Sequence, residues 1–174
     1  SNNVMAQQVF LTIGHDVSLG SAAPATAERA RQRIGDWLNG RNLRFSELAL
    51  ENGSGLSRLE RISADSLNRL LLDAWKSPVM PEFIASLPIV GIDGTMKKRL
   101  NSAEISGRAH IKTGTLDGVK SAAGYALDAP GRRYAVTFLI NHPRSQAGSA
   151  AIDALLTWIA QAQHSEKMPV LTHE

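Results

Sequence analysis

A lysine, a threonine and a glycine stand together within "HIKTGTLDGVKSAAGY", residues 110–125. Residues 109–113 and 120–127 read as strands, so Lys112 falls among residues suited to an apolar interior. Burying an ammonium without a partner is costly, and the position calls for something the charge can hold. A lysine on a strand beside a cleft offers a fixed cation to a carboxylate or a neighbouring hydroxyl. Thr113 adds a hydroxyl donor for the same carboxylate. Gly114, with no side chain, lets an extended ligand lie against the strand and take its backbone hydrogen bonds. The tripeptide is short, and a solvated lysine on a surface strand would also account for it.

Other patterns carry less chemistry. "GRAHIKT", residues 107–113, misses the phosphate-binding G-x-x-x-x-G-K-[ST] loop, because Ile111 replaces the glycine that would turn amides onto a phosphate. "NGSGLS", residues 52–57, lacks the G-x-S-x-G spacing of a nucleophile elbow and reads as a glycine-rich turn. His15, His110, His142, His164 and His173 are scattered, none in an H-E-x-x-H, and read as surface or hydrogen-bonded residues rather than zinc ligands. Trp37, Trp75 and Trp158 fall on helix stripes as core or edge residues.

The elements that must position the lysine follow from periodicity. Ala6, Phe10 and Ile13 mark a helix over residues 4–13 with Gly14 as terminator. "SAAPATAERARQRIGDWLNG" reads as a second helix with Pro24 in its first turn, a stripe of Ile34, Trp37 and Leu38, and Asn39-Gly40 as its stop. Residues 43–50 read as a short strand, followed by the loop "ENGSGLSR". Ser63 caps a third helix carrying Leu67, Leu70, Leu71, Ala74 and Trp75. Residues 78–107 are loop-rich, with helix only at 81–87 and 95–100; so long an irregular stretch usually has a function. Then the period becomes two. "RRYAVTFLI" alternates Tyr134, Val136, Phe138 and Ile140, "DAPG" at 128–131 turns a hairpin, and Ile152, Leu155, Leu156 and Ile159 mark a last helix. The order is α+β, an antiparallel sheet flanked by helices.

Composition narrows the class. The 174 residues are 43% hydrophobic and 20% charged, with no cysteine, which excludes disulfides, thiolate metal sites and cysteine nucleophiles. No apolar run is long enough to be read as a transmembrane segment. The net charge is +3, and aromatics are 5%, so no basic, aromatic-interleaved face for nucleic acid is expected.

Ser1-Asn2-Asn3 opens a helix and matches S-x-N. With K-T-G downstream, the chain resembles the penicillin-recognising serine enzymes, whose signature is S-x-x-K, S-x-N and K-T-G in chain order. More narrowly, it resembles DacB-like low-molecular-weight penicillin-binding proteins, the D-alanyl-D-alanine carboxypeptidase/endopeptidase family. The match lies in "SNNVMAQQVFLTIG", "ENGSGLSR", "SLPIVGIDGTMKKRL" and "GRAHIKTGTLDGVKSAAGY", in that order.

The resemblance implies a fold, a site and a location. Residues 1–174 would be the C-terminal part of a penicillin-binding-protein/β-lactamase-like domain. Ser1 would relay a proton near the leaving group, and Asn3 would bond the substrate backbone and an active-site lysine. Lys112 would be the K-T-G lysine, Thr113 would grip a terminal carboxylate, and Gly114 would keep the strand open. The Thr115 N–H would form half of an oxyanion hole. No S-x-x-K occurs in the chain, so the nucleophile and its base lysine are expected in an N-terminal remainder of the same protein, and this piece is expected to be inactive alone. Peptidoglycan peptide stems and β-lactams would be the ligands, in the periplasm or another extracytoplasmic space, with no cofactor or metal. The alternative is a non-catalytic module binding peptidoglycan stems or a cell-wall partner.

Overall fold

The computed structural model describes residues 2–15, 24–101 and 104–162, in two compact units, Ser1–Ser66 and Leu67–Glu174. In the first unit, helix α1 spans Asn3–Ile13 and helix α2 spans Ala27–Gly40. The Asn2 side chain caps α1 by accepting from the Met5 amide at 3.0 Å. Thr26 does the same for α2 from Arg29 at 3.3 Å. That cap sets the start of α2, so Pro24 precedes the helix instead of sitting in its first turn, and residues 21–23 lie outside the described set.

Gly14 ends α1 as expected, in a right-handed conformation. Its use is proximity. A Cβ there would collide with Thr26 O and lie 2.9 Å from Ala30 N, so glycine lets the end of α1 meet the start of α2 backbone to backbone. Phe10, Ala30, Leu38 and Leu43 are buried here, whereas Trp37 is 50% exposed with the Arg41 guanidinium 4.8 Å from its ring.

The strand expected at 43–50 does not form. Only Ala49 finds a partner, Arg61, in a single bridge, while Leu48 N–H bonds Phe45 O in a turn. A run of apolar residues without a neighbouring strand has no ladder to join. The "ENGSGLSR" loop does form, with Asn52 Oδ1 accepting from the Ser54 amide at 2.9 Å and its hydroxyl at 2.7 Å. Helix α3, Ala64–Trp75, is capped as expected by Ser63 Oγ on Ser66 N–H at 3.0 Å.

The second unit is built on three antiparallel strands in the order β1-β2-β3: β1 Ala109–Leu116, β2 Val119–Leu127 and β3 Arg133–Asn141. Before them lie helix α4, Met80–Ala85, and a 3-10 turn, Gly94–Met96; after them comes helix α5, Gly148–Gln161. The helix expected at 95–100 shrinks to that 3-10 turn, because Met96 dives fully into the core.

Strand alternation gives the sheet two faces. One carries Ala109, Ile111, Ala122, Ala126, Tyr134 and Val136 against Ile152, Leu156 and Ile159 of α5. At about 1.5–3 kcal/mol per large buried aliphatic side chain, this layer is the main stabiliser of the unit. The other face carries Tyr125, packed with Leu71, Met80, Trp75 and Phe83. Its hydroxyl donates to Leu71 O at 2.6 Å, and burial pushes the phenol up to about 12 despite the nearby Arg133 charge. Trp158 of α5 is 55% exposed, at the edge of its stripe and not in the core.

Asp128 locks the β2–β3 hairpin at the expected turn. Its fully buried carboxylate accepts from Arg132 N at 2.7 Å, Arg132 Nε at 2.6 Å and Tyr134 Oη at 2.9 Å. Burial opposes the charge, but the Arg132 and Tyr134 hydrogen bonds win and hold the carboxyl below its ordinary value. The Arg108 guanidinium also donates to Asp128 O.

Candidate active site

The K-T-G residues lie on an edge strand. β1 pairs with β2 on one side, in the register Lys112↔Ala123, Thr113↔Ala122 and Gly114↔Ser121. On its other side, among the described residues, only the beginning of β1 is covered: Ile111 N–H donates to Pro88 O at 2.8 Å and Val90 N–H to Ala109 O at 2.9 Å. Backbone groups along a strand alternate in direction, so 109, 111, 113 and 115 all present their N–H and C=O to that outer side. The covering segment stops at Ile111. Beyond it the N–H groups of Thr113 and Thr115 and their carbonyls face outward along a free edge.

Lys112 is exposed, and its place at the edge, not in the sheet interior, is what makes the charge tolerable. Its Nζ donates to Thr113 O at 2.6 Å. Because that carbonyl points to the outer side, the ammonium is drawn over the edge of β1. Lys112 and Thr113 leave the strand on opposite faces, so both can reach one ligand only if it lies along this edge. Gly114 is explained by its cross-strand neighbour: a Cβ there would collide with the Ser121 hydroxyl.

Thr113 Oγ1 lies 2.7 Å from Thr95 Oγ1, a residue of the 3-10 turn. Sequence reading missed Thr95 and Ser121. Thr95 stands in the "GIDGTM" stretch, but nothing local ties it to a strand eighteen residues later. Asn3 is the first residue of α1 and is exposed. Ser1 lies outside the described residues, as do His164 and His173. His110 Nδ1 is 3.1 Å from Ile84 O, and His142 Nδ1 accepts from Arg144 N–H at 3.0 Å, as hydrogen-bonded histidines would. Among the described residues no group of three or more His, Cys, Asp or Glu could hold a metal ion.

An edge strand with outward amides and a cation over it can add an extended peptide as a further strand and hold an anion at its end. Comparison with known proteins gives this geometry a family. The chain is 30% identical over 166 residues to the D-alanyl-D-alanine carboxypeptidase of Actinomadura sp. (strain R39), covering 92% of this chain and 30% of that protein. Among solved structures it matches penicillin binding protein 4 (dacB) from Haemophilus influenzae with TM-score 0.75 and 25% identity, covering 89% of this chain and 37% of that one. A second structure of the Haemophilus protein, complexed with a novel beta-lactam, matches in fold with TM-score 0.75 and 24% identity, covering 90% of this chain and 39% of that chain. The expected α+β architecture is that of these structures. The chain thus spans about a third of the length of such relatives. The profile of the D-Ala-D-Ala carboxypeptidase 3 (S13) family matches residues 1–162, and the chain belongs to that family.

Proposed function

We propose that the protein containing this chain is a serine-type D-Ala-D-Ala carboxypeptidase/endopeptidase that cleaves peptidoglycan peptides through an acyl-enzyme, and that β-lactams acylate it. The observation that carries the reading is the free edge of β1, with the Lys112 ammonium drawn over it beside the outward amides of Thr113 and Thr115. Family membership supports the substrate class. A serine outside these 174 residues attacks the carbonyl of the penultimate D-Ala; the C–N bond breaks, and the serine proton leaves on the departing amine. Water then hydrolyses the ester and regenerates the serine. Residues 1–174 act as the C-terminal part of that catalytic domain.

In this scheme Lys112 and Thr113 bind the terminal carboxylate, and Gly114 leaves the strand surface open. The Thr115 N–H holds half of the developing oxyanion. Ser1 relays the proton toward the leaving amine, and Asn3 bonds the peptide backbone. The site of action is extracytoplasmic, where peptidoglycan stems are; among the described residues no helix is long and apolar enough to cross a membrane. The absence of S-x-x-K from the sequence supports a nucleophile elsewhere in the protein.

Fluorescent penicillin tests this. The parent protein should be labelled covalently, with labelling lost in Lys112→Ala, while the 174-residue chain alone should stay unlabelled. Covalent labelling of the isolated chain would refute the assignment of the nucleophile. Reversible binding of D-Ala-D-Ala peptides by the isolated chain, with no labelling of the parent, would favour a non-catalytic module.

A further inference from the structure

We infer that Thr95 is a positioning residue that sets the direction in which the Thr113 hydroxyl points when it meets a substrate carboxylate, a role that rests on the proposed function. The observation is the 2.7 Å separation of their Oγ1 atoms. Thr95 is not carried there by a loose loop. Its neighbour Met96 is fully buried, and Gly91 N–H donates to Met96 O at 3.1 Å. Asp93 Oδ1 accepts from Ile89 N–H at 2.6 Å, which ties the turn to the segment bonded along β1. The same piece of chain that covers the beginning of the β1 edge therefore delivers a hydroxyl where the covering stops.

Hydrogen-bond direction gives the pair its meaning. Each hydroxyl has one proton and two lone pairs, and a carboxylate only accepts. For Thr113 to donate to a carboxylate, its oxygen must receive rather than supply the bond it shares with Thr95. The order is then Thr95 O–H to Thr113 O–H to carboxylate, each bond polarising the next. Without the Thr95 hydroxyl, Thr113 Oγ1 loses the bond that holds its χ1 rotamer toward the ligand, and water competes for its proton at this exposed site.

The test uses the parent protein, a D-Ala-D-Ala peptide, and the variants Thr95→Val and Thr95→Ser. Thr95→Val, which keeps the shape and removes the hydroxyl, should raise KM about tenfold and leave kcat within about threefold. Thr95→Ser, which restores a hydroxyl, should stay within about threefold of the parent in both. Three-bond couplings of Thr113 report its χ1 without turnover: one rotamer in the parent and in Thr95→Ser, averaging in Thr95→Val. Unchanged couplings in Thr95→Val, or an unchanged KM, would overturn the inference. A parent that hydrolyses no such peptide would overturn the proposed function instead, and the couplings would still decide the role of Thr95.

Discussion

Replacing Gly114 by alanine separates what this glycine does for the sheet from what it does for a ligand. The added Cβ would sit well inside the 3.4 Å at which ordinary contact with the Ser121 hydroxyl begins, while the Ser121 Cβ stays at a comfortable 3.8 Å. Only the hydroxyl is in the way. Turning it off its rotamer costs about 0.5–1.5 kcal/mol, and shifting β1 from β2 instead costs about 1–3. A loss of about 1–2 kcal/mol is expected. At about 2–4 °C per kcal/mol for a protein of this size, Tm should fall by about 2–8 °C in a thermal melt followed by circular dichroism. Ser121→Ala removes the obstacle, so the double variant should recover to within about 0.5 kcal/mol of the single Ser121→Ala, a coupling of about 1 kcal/mol. If Gly114→Ala costs the same with and without the Ser121 hydroxyl, close approach is not why glycine stands there. If the double variant regains stability in the parent protein but not penicillin labelling, the bare strand surface serves the ligand as well.

Acid should weaken the first unit through Glu47. Hydrogen bonds from the Ser66 hydroxyl, then the Ser63 hydroxyl and the amides of Glu47 and Ser63, hold this carboxyl down to about 2 from an ordinary 4.5. A lowered carboxyl contributes stability that is full above about pH 4.5 and is lost as pH falls to about 2. The fall of Tm across that window should therefore be smaller in Glu47→Gln, with a lower Tm at neutral pH; identical pH profiles would contradict it. Asp128→Ala should cost about 1–3 kcal/mol in denaturant unfolding, because it leaves the buried Tyr134 hydroxyl without its acceptor while the Arg132 guanidinium can turn to water. Tyr134→Phe should cost about 1 kcal/mol, and the double variant less than the sum.

The strands and the K-T-G segment were legible because their signals are local: a period of two, a D-A-P-G turn, and a lysine where an apolar residue would serve. Periodicity alone would have put Lys112 in an apolar interior and only its charge argued for a cleft edge, since whether a strand is central or at an edge depends on partners that a period cannot show. Here the deciding fact is that residues 88–90 cover β1 only as far as Ile111. Residues 43–50 failed for the converse reason, an apolar pattern with no neighbour to pair with. Ser63 announced its helix correctly, but the carboxylate beneath it, Glu47, comes from sixteen residues earlier. Thr95 was invisible for the same cause: hydroxyl–hydroxyl contacts between distant segments leave no periodic trace. The roles of Ser1 and Asn3 came from family resemblance alone.

The most direct measurement is a crystal structure of the parent protein acylated by a β-lactam. The adduct should lie along the free edge of β1, its carboxylate bonded to Lys112 Nζ and Thr113 Oγ1 and its acyl oxygen on the Thr115 amide. An adduct elsewhere, with Thr113 and Thr115 still facing solvent, would contradict the account.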